Sequence, residues 1–316
     1  MGADHDALRE QLGTVGAWTF AFDTMTIAQV RAAAVEIESL GYGALWVPEG
    51  SSSRDIFAHL SILLDATDRI TVASGIANIT ARQPEVMAAG FRTLADAEPD
   101  RLVAGVGIGH EYSTQSRGID WNRPLSRMRT YLDRMDAAAA VPAPTEPRRL
   151  LAALGDGMLR LSAARALGAH TYFVPVSHTA RARAVLGPEP VLAVEQGVVL
   201  GGDRSRALRI AQEWADGYLD LPNYANNLRR LGFSDDDVAG GGSEGLIDAT
   251  FAVGDVDVVA ARVYEHLEAG ADHVCIQIIS DSDSDSDSGS DACMPQLRSL
   301  AAALVGASPP RVRPGA

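Results

Sequence analysis

Three side chains able to give or take a proton fall at or just beyond the carboxyl ends of apolar runs: Glu49, His110 and His178. In an α/β protein that end of a strand collects binding and catalytic groups, and a carboxylate or imidazole there suits general acid–base work. Each of the three, taken alone, is equally at home as a polar surface residue. Three glycine-bearing segments sit beside them. The run Ile70–Ser74 stops at Gly75-Ile76-Ala77-Asn78, where a strand would present its backbone to a ligand. Gly105-Val106-Gly107-Ile108-Gly109 departs from a dinucleotide fingerprint, which needs G-x-G-x-x-G opening a helix. Its glycines lie within a strand, where small residues let a flat ligand or a facing layer come close. Leu151–Met158 ends a strand at Gly155 and starts a helix within two residues, through Asp156 and Gly157. Exposed amides at such a helix start suit an anion, and the same spacing also serves an empty tight turn.

Other matches dissolve on their spacing. Gly241-Gly242-Ser243-Glu244-Gly245 fits G-x-S-x-G, but a loop precedes Ser243, so Ser243 reads as a helix cap. Asp283, Asp285 and Asp287 alternate as in a calcium loop, yet Ser288 stands where glycine is needed and Met294 where glutamate is needed. The histidines and acids show no metal-binding spacing. His59 lies on an apolar helix and reads as a packed residue; His5 reads as part of a floppy terminus.

The elements that must position these groups alternate along the chain. Strands are expected at Thr14–Phe20, Ala44–Glu49, Ile70–Ala77, Leu102–Gly109, Arg149–Gly155, Thr171–Val176, Val191–Leu200 and His273–Ile279. Helices are expected at Thr26–Leu40, Asp55–Ala66, Pro84–Ala97, Pro124–Ala140, Gly157–Leu167, Thr179–Leu186, Arg204–Tyr218 and Pro295–Val305. Eight alternating units imply parallel pairing closed into a (β/α)8 TIM barrel, one domain over 1–316. Gly41, Gly168 and Gly270 each precede a strand, as helix-ending glycines do. A rim insertion spans 220–249 before the last unit, and its Asn223, Tyr224, Asn226, Asn227 and Arg229 are expected to shape a substrate pocket. Residues 280–291 form a low-complexity acidic loop and 307–316 a flexible tail.

Composition narrows the chemistry. All 27 basic residues are arginine, which excludes a Schiff-base lysine, a phosphate-loop lysine and a Ser–Lys pair. The formal net charge of −14 argues against nucleic acid as a partner. Two cysteines, Cys275 and Cys293, form neither a disulfide framework nor a zinc site and read as reduced and structural. No apolar run approaches the ~20 residues of a membrane span, and the start of the chain lacks a basic-then-apolar leader. The expectation is a cytoplasmic protein acting on a small molecule.

Several segments together resemble the luciferase-like flavin and deazaflavin oxidoreductases, most closely the actinobacterial branch that depends on coenzyme F420. They are SGIANITARQPEVMAAGFRTLAD, LVAGVGIGH, RPLSRMRTYLDRM, LLAALGDGML, SHTARARAVLGP, LPNYANNLRRLGFSDDDVAGGGS and EAGADHVCIQI, in order from about Leu12 to Leu304. The resemblance implies a deazaflavin at the C-terminal face of the barrel. It implies a non-proline cis peptide at Gly75–Ile76 backing the cofactor ring, with Asn78 beside the ring. Gly107 and Gly109 would leave room for the ring. Gly155, Asp156 and Gly157 would hold the phosphate tail, with Ser177 and His178 as further candidates. His110 would donate or accept the proton, supported by Glu49. Three departures stand out: Glu49-Gly50 replaces a common Asp-His, Ala166-Leu167-Gly168 replaces Ala-Asp-Gly, and the acidic tract has no counterpart. The implied function is hydride transfer between F420 and a small organic substrate. The alternatives are an FMN-dependent monooxygenase using O2, or a non-catalytic flavin- or deazaflavin-binding protein. A homodimer is a family-level expectation.

Overall fold

The computed structural model describes residues 2–50, 52–111, 114, 118, 122–139, 146–280 and 293–305. The low-complexity acidic tract expected after Ser280 and the tail from 307 lie outside the described residues.

Ten strands run in chain order: β1 (Val15–Trp18), β2 (Ala44–Val47), β3 (Thr71–Ser74), β4 (Ala77–Asn78), β5 (Leu102–Gly107), β6 (Arg148–Ala152), β7 (Gly168–Thr171), β8 (Val191–Leu200), β9 (Phe251–Gly254) and β10 (His273–Ile278). Every pairing is parallel, and β10 pairs with both β1 and β8, so eight strands close into a (β/α)8 barrel. Closure leaves no open edge among those eight. The two remaining strands are additions: β4 continues β3 against β5, and β9 pairs with the C-terminal half of β8 from Gly197 to Leu200.

The helices are α1 (Gly2–Leu12), α2 (Ile27–Ser39), α3 (Ile56–Ala66), α4 (Pro84–Ala97), α5 (Pro124–Ala137), α6 (Asp156–Arg165), α7 (Val176–Leu186), α8 (Arg204–Leu219), α9 (Pro222–Arg230), α10 (Glu244–Thr250), α11 (Val256–Glu268) and α12 (Met294–Leu304). Their starts follow from side-chain caps. Thr26 and Gln29 form a reciprocal capping box on α2, Asp55 caps α3, and Ser243 caps α10 by accepting from the Leu246 N–H. Ser243 is therefore a cap, as its surroundings in sequence imply.

Alternate residues of each strand face inward. Trp18, Trp46, Ala73, Val103, Leu150, Ala193 and Cys275 fill the barrel, and a separate, larger cluster joins the strands' outer faces to the helices. Helix α1 closes the N-terminal end, with Leu8 and Leu12 fully buried against that interior.

Four sequence expectations change here. The terminus holding His5 is helical, and His5 is buried. The third strand breaks after Ser74 and resumes at Ala77. The sixth begins at Gly168, not Thr171, because Gly168 lies against the backbone of Val191 where a Cβ has no room. Gly41 and Gly270, with φ of 90° and 105°, do follow helix ends as expected, whereas Gly168 is part of a strand. Strand β9 and helix α11 are further elements between β8 and β10, and the insertion over 220–249 holds α9 and most of α10.

Candidate active site

The third strand breaks at a cis peptide between Gly75 and Ile76. The chain is displaced there and rejoins the sheet as β4, pairing Ala77 with Val106 and Asn78 with Gly107. The glycines of β5 and its continuation make the displacement possible. Gly105 lies against the Ser74 carbonyl, Gly107 against the Ile76 side chain, and Gly109, at φ 74°, against the Asn78 amide. A Cβ at any of the three would collide with a neighbour. The side of these glycines to which a Cβ would point is therefore taken by residues 74–78. Gly109 still borders the cavity described next; Gly107 does not.

That cavity has a volume of about 640 Å³ and sits at the C-terminal ends of the strands. One wall is made of small or aliphatic residues: Gly75, Ile76, Gly109, Ala152, Ala153 and Gly155. A second part of the lining forms an aromatic wall, Trp18, Phe20, Tyr172, Tyr218 and Tyr224, and Trp18 packs directly against Gly75. Tyr172 donates to Gln277 Oε1 at 2.8 Å, and its oxygen lies 2.9 Å from the Tyr218 hydroxyl. His110 borders the cavity, its ring 5.7 Å from that of Tyr224. Burial lowers the His110 pKa to about 4, so the imidazole is neutral at pH 7 and a weaker base than a free imidazole.

Glu49 also borders the cavity, but its carboxylate is engaged. Arg82 donates to both oxygens, and Oε2 accepts the Asn78 N–H at 2.7 Å as well. Both charged side chains are nearly buried, and Arg82 lies over the Phe57 ring. Glu49 thus ties the end of β2 to the displaced segment. Asn78 Oδ1 accepts from Thr80 N–H and Oγ–H, which orients the amide beside the cavity.

Two buried donors or acceptors on the cavity lining have no hydrogen-bond partner among the described residues: Trp18 Nε1 and His170 Nε2. His170 stacks on Trp46 at 4.5 Å, and burial lowers its pKa to about 3. Trp46 Nε1–H donates to His273 Nε2, so His273 carries its proton on Nδ1 and gives it to the Gly13 carbonyl. Glu195 is the next inward residue of β8 after Ala193. Burial raises its pKa to about 8, opposed by the N–H of Phe173, which it accepts at 3.0 Å.

At the Gly155 end, α6 begins with no side-chain cap. Asp156 pairs with Arg181 through two 3.0 Å bonds and with Arg160 at 3.7 Å, and Arg230 from α9 reaches toward Gly155. Gly155 lines the cavity, while Asp156, Gly157 and Ser177 lie beyond its lining. His178 is a correction. Helix α7 starts at Val176, earlier than expected, and buries His178, whose Nε2 donates to the Leu154 carbonyl at 2.8 Å. It braces the strand end and does not face the cavity. From the insertion, Asn223 and Tyr224 line the cavity. Asn227 is buried, while Asn226 and Arg229 are exposed and Arg229 is tied to Asp235. Sequence reasoning missed Trp18, Tyr172, Tyr218, Arg82 and Gln277, which carry no motif; only the inward alternation of their strands could have marked Trp18, Tyr172 and Gln277. No group of three or more metal-type ligands exists among the described residues.

Residues 8–273 match the luciferase-like monooxygenase family. A stretch of 92 residues is 29% identical to the 5,10-methylenetetrahydromethanopterin reductase of Archaeoglobus fulgidus, covering 29% of this chain and 28% of that protein. The chain thus spans little more than a quarter of the length of the curated relatives it matches. The fold is similar to the coenzyme F420-dependent tetrahydromethanopterin reductase from Methanopyrus kandleri, with a TM-score of 0.69 and 15% identity over 93% of this chain and 98% of that one. It is also similar to the FMN-bound oxygenating constituent of 3,6-diketocamphane monooxygenase from Pseudomonas putida, with a TM-score of 0.66 and 16% identity over 91% and 95%.

Two outcomes follow from this geometry. Arg82→Ala leaves Glu49 nearly buried without its counter-charge and should lower stability by about 3 kcal/mol, read by urea denaturation. Glu195 binds its proton in the native state up to about pH 8, while the unfolded chain releases it near the ordinary value of 4.5. Stability from this group is therefore fully present below pH 4.5 and is lost as pH rises toward 8. Thermal melts of Glu195→Gln should exceed those of the unaltered protein at pH 8 and converge with them at pH 4.5.

Proposed function

The chain belongs to the luciferase-like monooxygenase family, and from that premise we propose that it is an oxidoreductase that moves a hydride between coenzyme F420 and a small organic substrate. The observation that carries this reading is the cavity with two unlike walls, ending at a helix start beside arginines. The small-residue wall suits the face of a flat ring. The orphaned Trp18 Nε1 and His170 Nε2 offer polar atoms to the edge of a heterocycle. At the Gly155 end, the amides of α6 and the nearby Arg181 and Arg230 suit an anionic tail. The residues present therefore fit a deazaflavin.

F420, when bound, supplies a two-electron carrier that gives or takes hydride. The protein's part is orientation and proton handling. Ile76 and Asn78 border the small-residue wall, Gly155 and its arginines hold the tail, and the Glu49–Arg82 pair keeps Asn78 in place. His110, neutral at pH 7, receives the proton released when a substrate hydroxyl is oxidised and returns it in the reverse direction. FMN in a monooxygenase is the second reading, favoured by the likeness to an FMN-bound fold neighbour.

Fluorescence titration of the purified protein with F420 and FMN separately tests the choice. Binding of F420 is expected; binding of FMN alone would overturn the proposal. With F420 bound, His110→Ala should cut turnover by about 100-fold while leaving cofactor affinity intact. Unchanged turnover removes His110 from the mechanism.

A further inference from the structure

The aromatic wall is continuous. Phe20 meets Trp18 edge-on at 4.7 Å, Trp18 meets Tyr172 at 5.2 Å, Tyr172 meets Tyr218 at 5.2 Å, and Tyr218 meets Tyr224 edge-on at 5.4 Å. It runs from the end of β1 to α9, the helix inserted after α8. Rings held by one another in this way offer faces and edges to another ring.

Charge is distributed against this wall. Among the described residues the cavity lining holds no arginine, and the chain has no lysine. Its two carboxylates are already engaged. Glu49 is held by Arg82. Asp23 accepts the Arg54 N–H at 3.1 Å, and the Arg54 guanidinium is fixed beside it on the carbonyls of Phe22 and Met25. His110 and His170 are neutral at pH 7. The arginines gather instead at the Gly155 end, around Asp156. An anion against the aromatic wall would give up its water and find no counter-charge, and a cation would find ring faces but both carboxylates already engaged.

We infer that the substrate of this site is uncharged and ring-bearing, and that Tyr224 selects it by ring contact. The inference rests on the reading of the Gly155 end as the cofactor's and deepens it by naming the substrate class. Tyr224 is placed to select because it comes from the insertion rather than the barrel and packs on His110, Tyr172 and Tyr218 at once.

Acetophenone, benzoate and benzylamine share one ring and differ in charge at pH 7. Calorimetric titration of the full chain with each, with and without the cofactor that the fluorescence titration shows to bind, tests the inference. Acetophenone should bind about tenfold more tightly than either charged compound. Tyr224→Ala should weaken acetophenone by about fivefold, and Tyr224→Phe, which keeps the ring, should restore it. Benzoate or benzylamine binding as tightly as acetophenone, or no acetophenone binding in either form, overturns the inference; the unaltered protein decides this even where Tyr224→Ala fails to fold. Cofactor binding without the acetophenone preference sinks this inference alone. The preference without binding of either cofactor sinks the proposed function and leaves the substrate class standing.

Discussion

The site depends on one steric arrangement, the close approach of residues 74–78 to three positions on β5 and its continuation that carry no side chain. Gly105, Gly107 and Gly109 recur at every second residue, so all three face the same side of the strand, toward Ser74, Ile76 and Asn78. With any Cβ there, the third strand could not be displaced, and Ile76 and Asn78 could not border the cavity. The displaced segment is then tied down from the other side. Glu49, at the end of β2, accepts the Asn78 N–H while Arg82 neutralises it. Packing and electrostatics thus hold one short stretch of backbone from two neighbouring strands.

The second theme is the sorting of charge. Burial keeps His110, His170 and His273 neutral at physiological pH, and Glu195 holds its proton up to about pH 8. The barrel interior beneath the cavity therefore carries little net charge, although His170, His273 and Glu195 occupy it. The ionised groups are paired at its edges, Glu49 with Arg82 and Asp156 with Arg181. The cavity thus combines a neutral floor and an aromatic wall with arginines that lie beyond its Gly155 end.

Much of the fold was legible. The alternation of apolar runs with helical patterns predicts the eight barrel strands, and Thr26, Asp55 and Ser243 cap the helices their positions imply. The misreadings share a physical cause: local pattern says which face is apolar but not what covers it. His5 looks like part of a loose end because α1 is weakly apolar, yet α1 closes the barrel floor through Leu8 and Leu12. His178 looks like a site residue because it follows a strand, yet α7 starts one turn early and turns it inward onto the Leu154 carbonyl. Gly168 resembles the helix-ending Gly41 and Gly270, and only its contact with the Val191 backbone shows it to be a strand residue.

The sequence by itself determined the barrel class, the absence of lysine chemistry, and the segments that form the site, because periodicity, glycine spacing and composition are local properties of the chain. Tertiary structure decided the roles. It tied Glu49 into the displaced segment, because Arg82, 33 residues further on, reaches its carboxylate. It filled the space beside the β5 glycines with the chain's own Ile76 and Asn78. It assembled the aromatic wall from β1, β7, α8 and α9, whose rings are distant in sequence and meet only when the barrel closes. Such long-range contacts have no local signature, so only the closed barrel shows which group each side chain faces.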